Sequence, residues 1–186
     1  MVGAVAIFLS GLLFSATQAA SLPSNGIEVH RIHELREFIP DGWRRHSDLD
    51  KAALLPVKIG LAQSNMDKLD EYLMSVSHPD SAIYGQHWDA AMIRDTFAPS
   101  EDTVHAVSSW LTAHGIEAER ISQSSSLGWL EMHLTVEEAE ALLKTEYALY
   151  QHESGVKQVA CDKYHVPQEL AHHIGMYEPF LSLTYP

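Results

Sequence analysis

Side chains able to do chemistry are plentiful in this sequence, but their spacing assembles no reaction centre. The densest group of nucleophile-type residues is Ser124-Ser125-Ser126. A catalytic serine needs a base within hydrogen-bond reach and a third group to orient that base. No Gly-x-Ser-x-Gly elbow, His-Glu-x-x-His pair or glycine-rich phosphate loop occurs in the chain. Ser124 to Gly128 has the composition of a turn, and the run predicts a hairpin connection rather than a nucleophile.

Metal chemistry is the next possibility, because the chain holds 12 histidines and one cysteine. His30 and His33 are three apart, Cys161 and His165 are four apart, and His172-His173 follow. Zinc requires three or four ligands converging from a rigid frame. These pairs fall in a leader, a strand and a tail, which favours solvated histidines. Carboxylates are abundant, but Glu137, Glu138 and Glu140 open a helix, where capping and solvation account for them. Trp110, Trp129 and Tyr147 read as core or interface aromatics. The sequence thus predicts no catalytic residue, no metal ligand and no cofactor-binding residue.

Composition narrows the class further. The 186 residues are 46% hydrophobic and 20% charged, as in a globular domain with a substantial core. The formal charge of −13 makes nucleic acid a poor partner, since phosphate binding needs basic patches. Adding the charge of twelve protonated histidines to −13 leaves −1, so acid nearly removes the net charge. Lone Cys161 excludes a disulfide within the chain, leaving it buried or paired elsewhere. No Asn-x-Ser/Thr sequon occurs.

Residues 1–20 contain no charged residue or histidine, and run apolar through Val5-Ala6-Ile7-Phe8-Leu9 and Leu12-Leu13-Phe14 into Ala16-Thr17-Gln18-Ala19-Ala20. They read as a secretory signal peptide. Residues 21–54 read as a leader with at most one short element, 55–165 as the compact domain, and 166–186 as a linker or tail.

Within the compact part, residues 56–63 alternate like a half-buried strand. Asn65 is placed to cap a helix whose apolar stripe is Met66, Leu69, Leu73 and Val76, stopping at Pro79. Asp89 caps a short helix to Phe97, and Ser100 caps a longer one carrying Val104, Val107, Trp110 and Leu111, with Gly115 past its end. Strands are expected over 117–123 and 128–134. Thr135-Val136-Glu137-Glu138 fits a capping box for a helix with Ala139, Leu142 and Leu143. Strands over 147–152 and 157–164 and a helical turn after Pro167 complete the order. The pattern predicts an α+β, ferredoxin-like split β-α-β fold, a mostly antiparallel sheet with helices on one face.

Several of these segments resemble, in order, the pro-domain of the sedolisin (serine-carboxyl peptidase) family. Pro40-Asp41-Gly42-Trp43 resembles its opening motif, and Ile59-Gly60-Leu61-Ala62-Gln63-Ser64-Asn65 its first strand and cap. Val76-Ser77-His78-Pro79-Asp80-Ser81 with Tyr84-Gly85-Gln86-His87-Trp88 is similar to its most recognisable segment. Phe97-Ala98-Pro99-Ser100, Trp110 to Ile116, Thr135 to Glu140 and Tyr164-His165-Val166-Pro167 continue it. Among family members, fungal tripeptidyl-peptidases look most similar.

The resemblance implies that 55–165 is a pro-kumamolisin-like activation domain. It implies a chaperone and pH-released inhibitor of a secreted, acid-acting peptidase, delivered outside the cell or to an acid vacuolar or lysosome-like compartment. Its partner would be a sedolisin-type catalytic domain, in cis or in trans. That domain carries a Ser-Glu-Asp set, a Gly-Thr-Ser motif and calcium, and none of these maps onto the present residues. The resemblance further implies that the tail from Tyr164 to Pro186 runs extended into the active-site cleft. A free-standing secreted inhibitor of the same fold is the alternative, with no membrane association after signal cleavage.

Overall fold

A computed structural model of the chain describes residues 28–178. The signal-peptide reading of 1–20 and the last eight residues of the expected tail lie outside them. The elements are β1 (His30–Leu35), β2 (Trp43–Asp48), β3 (Leu54–Leu61), α1 (Leu69–Ser77), α2 (Ala90–Phe97), α3 (Glu101–Ala113), β4 (Ser122–Gln123), β5 (Trp129–Thr135), α4 (Val136–Leu143), β6 (Ala148–His152), β7 (Lys157–Ala160), β8 (Lys163–Pro167) and β9 (Ile174–Glu178).

Local chemistry sets most helix ends. The Asp89 carboxylate accepts from the Met92 amide and the Ser100 hydroxyl from the Thr103 amide, satisfying donors that a helix start leaves orphaned. Thr135 and Glu138 form the full capping box. At the end of α3 the Ile116 amide reaches the Leu111 carbonyl and the Gly115 amide the Thr112 carbonyl, with Gly115 at φ +86°. That is a Schellman closure, which needs a left-handed residue at that point. Asn65 differs from expectation. It is itself left-handed, makes no cap bond, and its side-chain amide donates instead to the Thr96 carbonyl at 2.7 Å, tying the start of α1 to α2.

The central sheet runs β4-β5-β3-β9 with every neighbouring pair antiparallel. Helices α1 to α3 connect β3 to β4, and α4 lies between β5 and β9. This is the ferredoxin-like split β-α-β order. In β3, Leu55, Val57 and Ile59 are buried while Leu54, Pro56 and Lys58 are exposed; in β5, Leu130, Met132 and Leu134 are buried. The inward set meets Val107 and Leu111 of α3 and Val136, Ala139, Leu142 and Leu143 of α4 in one core cluster. Each valine, leucine, isoleucine or methionine among them contributes roughly 1.5–3 kcal/mol on burial.

Two expectations about the chain ends are corrected. Among the described residues, 28–54, stand two strands rather than the one short element expected over 21–54: β1 pairs with β8, and β2 pairs with β6 in the three-stranded sheet β2-β6-β7. The segment from 166 is not a free tail as far as 178. Val166 and Ile174 are in the core, and β9 is the fourth strand of the ferredoxin-like sheet. Tyr164 is fully buried, so it cannot begin an extended inhibitory arm.

Three smaller differences follow from local geometry. The expected strand over 117–123 contracts to β4 behind a 3₁₀ turn at Ala118–Arg120. The expected strand over 157–164 divides into β7 and β8 around buried Cys161. The stripe Met66, Leu69, Leu73 and Val76 is helical as expected, yet only Val76 is buried.

An ion pair and an aromatic platform fasten the N-terminal segment to the β7–β8 corner. Arg36 hydrogen-bonds Asp162 through its guanidinium, and its amide donates to the Asp162 carbonyl at 2.8 Å. The guanidinium carbon lies 4.5 Å from the centre of the Tyr150 ring, whose hydroxyl donates to the same carboxylate at 2.7 Å. Burial works to raise the Asp162 carboxyl, but the bonds from Tyr150 and Arg36 outweigh it and hold it below the usual range.

Candidate docking surface

Strand alternation that buries one face of the central sheet leaves the other without a covering helix. On β3 that face carries Leu54, Pro56 and Lys58. Opposite them in register on β5 stand Thr135, His133 and Glu131, with Trp129 beside Gly60. Lys58 Nζ lies 3.0 Å from Glu131 Oε1, a cross-strand ion pair exposed on both partners. Leu54 is 65% exposed. The surface is mixed, with Leu54 and Pro56 beside the Lys58–Glu131 pair, and non-obligate protein interfaces as a whole are about as apolar as ordinary protein surface.

Arg120 buttresses the edge of this face. It makes two bonds to the Glu138 carboxylate, at 2.7 and 2.9 Å, and a third to the His133 carbonyl at 2.6 Å. The Thr135 amide donates to Glu138 as well. The Arg120 guanidinium chiefly, aided by that amide, outweighs partial burial and holds the Glu138 carboxyl down at about 2. The end of β5, the start of α4 and the turn before β4 are thereby one hydrogen-bonded unit.

The residues weighed for chemistry are dispersed. Ser124 and Ser126 bond each other at 3.0 Å within the turn, and the Ser124 hydroxyl accepts from the Trp129 amide. Leu127 closes that turn at φ +64°. Cys161 is 1% exposed, and burial pushes its thiol up to about 11, away from the thiolate that a metal or nucleophile role requires. His165 Nδ1 lies 2.9 Å from the Lys144 carbonyl. His30 Nδ1 lies 3.1 Å from the Glu28 carbonyl. The His172 and His173 ring centres lie 3.8 Å apart with the planes tilted by 40°, and His173 Nδ1 lies 2.8 Å from Thr103 Oγ1. Among the described residues no group of three or more histidine, cysteine or acidic side chains could hold a metal ion. No helix among them is long and apolar enough to cross a membrane.

Two histidines are perturbed by their place in the fold. His33 of β1 packs 5.5 Å from the Tyr164 ring of β8. Burial lowers its pKa; Glu34 and a bond with the Gly175 backbone of β9 act upward, and Arg31 acts downward. His173 is likewise lowered by burial and by His172, against Asp102. Both therefore favour the neutral ring in the folded state.

Of this face only Trp129 stands out in the sequence, as a core or interface aromatic. The signal was present in the alternation of Gly128 to Leu134, whose odd members Trp129, Glu131 and His133 face away from the core.

Comparison with known proteins agrees with this architecture. The family model "Pro-kumamolisin, activation domain" matches residues 41–183, a span that includes both β2 and β9. Tripeptidyl-peptidase sed1 of Aspergillus fumigatus is 43% identical over 173 residues, 92% of this chain and 27% of the relative. Aorsin of Aspergillus oryzae is 35% identical over 95% of this chain, and tripeptidyl-peptidase SED1 of Arthroderma otae 39% over 95%. The chain spans about a quarter of the length of these curated relatives. Its residues correspond to the activation domain of sedolisin-type peptidases and not to the catalytic domain. The chain belongs to the pro-kumamolisin activation-domain family.

Proposed function

We propose that the chain templates the folding of a sedolisin-type tripeptidyl-peptidase catalytic domain and then inhibits it, docked through the open face of the central sheet. The observation that carries this reading is a closed ferredoxin-like core with one sheet face left uncovered. Such a face offers a preformed surface for the slow, long-range pairing steps of a larger partner. The domain contributes shape and hydrogen bonding, without a metal or cofactor of its own.

Release occurs in acid. Protonating His33 and His173 opposes the folded state, because each is held neutral by burial. Loosening β1, β8 and the start of β9 then weakens the frame behind the docking face. The uncharged apolar run from Met1 to Ala20 supports secretion, which delivers the domain to an acidifiable compartment. The described residues close their own core, which favours action in trans as well as in cis.

The test is refolding of the unfolded catalytic domain of the Aspergillus fumigatus relative with and without the purified chain. Recovered peptidase activity should rise several-fold with equimolar chain. Equal recovery in both arms would refute the templating role.

A further inference from the structure

The segment between β3 and α3 is unusual for its exposure. From Met66 to Phe97 only Val76 is buried. A ring cluster holds its two helices together, with Tyr72 4.9 Å from Trp88 and 6.1 Å from Phe97. Its remaining apolar side chains point outward: Met66 is 48% exposed, Leu69 42%, Leu73 58%, Met92 50% and Ile93 48%. Isolated exposed apolar residues are ordinary, but a contiguous set marks an interaction surface. Here Met66, Leu69, Ala90, Ile93 and Phe97 line one groove between α1 and α2, which continues onto Ser126 of the β4–β5 turn. The groove thus opens at the end of the central sheet.

Charge selects the occupant. Between residues 66 and 97 stand Asp67, Asp70, Glu71, Asp80, Asp89 and Asp95 against only Lys68 and Arg94. Arg94, the charged residue that lines the groove itself, is bonded to Asp95 at 2.7 Å, which offsets its charge. A second copy of this chain would bring the same net-acidic segment onto this one, which opposes self-association. A partner with an apolar protrusion flanked by lysine or arginine is complementary in both respects. The exposed Met66 in its lining suits such a groove, since a flexible thioether adapts to an irregular apolar shape.

The geometry points to a second docking site, the α1–α2 groove, which takes an apolar protrusion with a basic rim on the peptidase catalytic domain. It rests on the reading that this domain is the partner of the open sheet face. The groove adds an anchor at the end of that face, so the sheet supplies area while the groove fixes register and contributes to residence time.

The test uses the whole chain and the catalytic domain of the Aspergillus fumigatus relative, with binding followed by calorimetry at pH 7. The variant Leu69→Gln with Ile93→Gln alters two side chains that are already about half exposed, and its melting temperature should match the parent. Its Kd should rise by about tenfold or more. Charge reversal by Asp67→Lys with Glu71→Lys should also weaken binding and flatten its salt dependence. If the parent binds and both variants bind equally well, the groove is not a docking site, while the sheet-face reading survives. If the parent itself fails to bind, the functional reading falls and the groove assignment with it. Sedimentation of the chain alone should give a monomer; a dimer dissolved by the glutamine variant would assign the groove to a second copy instead.

Discussion

Replacing Glu138 with glutamine probes how the fold survives acid while parts of it loosen. The parent carboxylate takes two bonds from Arg120 and one from the Thr135 amide, and is held near 2 against an unperturbed 4.5. Each pKa unit corresponds to about 1.4 kcal/mol, which sets a ceiling near 3 kcal/mol. Both side chains are about a third exposed, so screening reduces this by about half. The glutamine oxygen still accepts from Thr135, so the cap is weakened rather than lost. The expected deficit at pH 7 is about 1–2 kcal/mol, or a melting temperature lower by roughly 3–6 °C. A depressed carboxyl stabilises above its unfolded pKa and loses that contribution as pH falls through its folded one. Thermal melts should therefore show the deficit undiminished from pH 7 to 5, eroding below about 4.5 and closing toward pH 2. A deficit that closes already between pH 6 and 5, or that is absent at pH 7, would refute the assignment.

Further predictions concern the frame behind the docking face. Parent stability should fall as pH drops below about 6.5, where the unfolded chain protonates His33 and His173 while the fold holds both rings neutral, and His33→Phe should flatten part of that decline in melts between pH 7 and 5. Asp162→Ala removes the partner of Arg36 and the acceptor of Tyr150, and should cost about 1–2 kcal/mol in urea unfolding at pH 7, the loss shared with Arg36→Ala in a double-mutant cycle. Gly42→Ala should destabilise by about 1–3 kcal/mol, since φ is +82° and the new methyl would stand 2.4 Å from His152 Nε2. Ile174→Ala should cost about 2–4 kcal/mol, as expected for a core side chain of the fourth strand rather than a tail residue.

The features legible in the sequence were those fixed by neighbours in the chain. Asp89, Ser100 and Thr135 cap helices because their side chains reach amides three residues on, and Gly115 is left-handed because a helix end requires it. The alternation in β3 and β5 and the apolar faces of α3 and α4 announce the core and hence the sheet class. What was not legible depends on partners far along the chain. In β2, Arg44, Arg45, His46, Ser47 and Asp48 are all exposed, so no hydrophobic period marks a strand that exists through pairing with β6 about a hundred residues later. The same holds for β9, whose Gly175 and shortness read as tail until Ile174 is seen in register with Leu61. The stripe on α1 was legible as a pattern but not as a surface, since periodicity reports a face and not what covers it. The open sheet face is hidden in the same way: Trp129 reads as a core or interface aromatic, and Glu131 and His133 mark an outward face without saying what covers it.

We propose that this domain recognises and silences a sedolisin-type catalytic domain and releases it in acid. The most direct test is inhibition of the Aspergillus fumigatus relative's catalytic domain by the purified chain, with affinity measured from pH 7 to pH 4. Tight binding at pH 7 that weakens by at least about tenfold toward pH 4 is the predicted result. No binding at pH 7, or affinity equal at both ends, would contradict it.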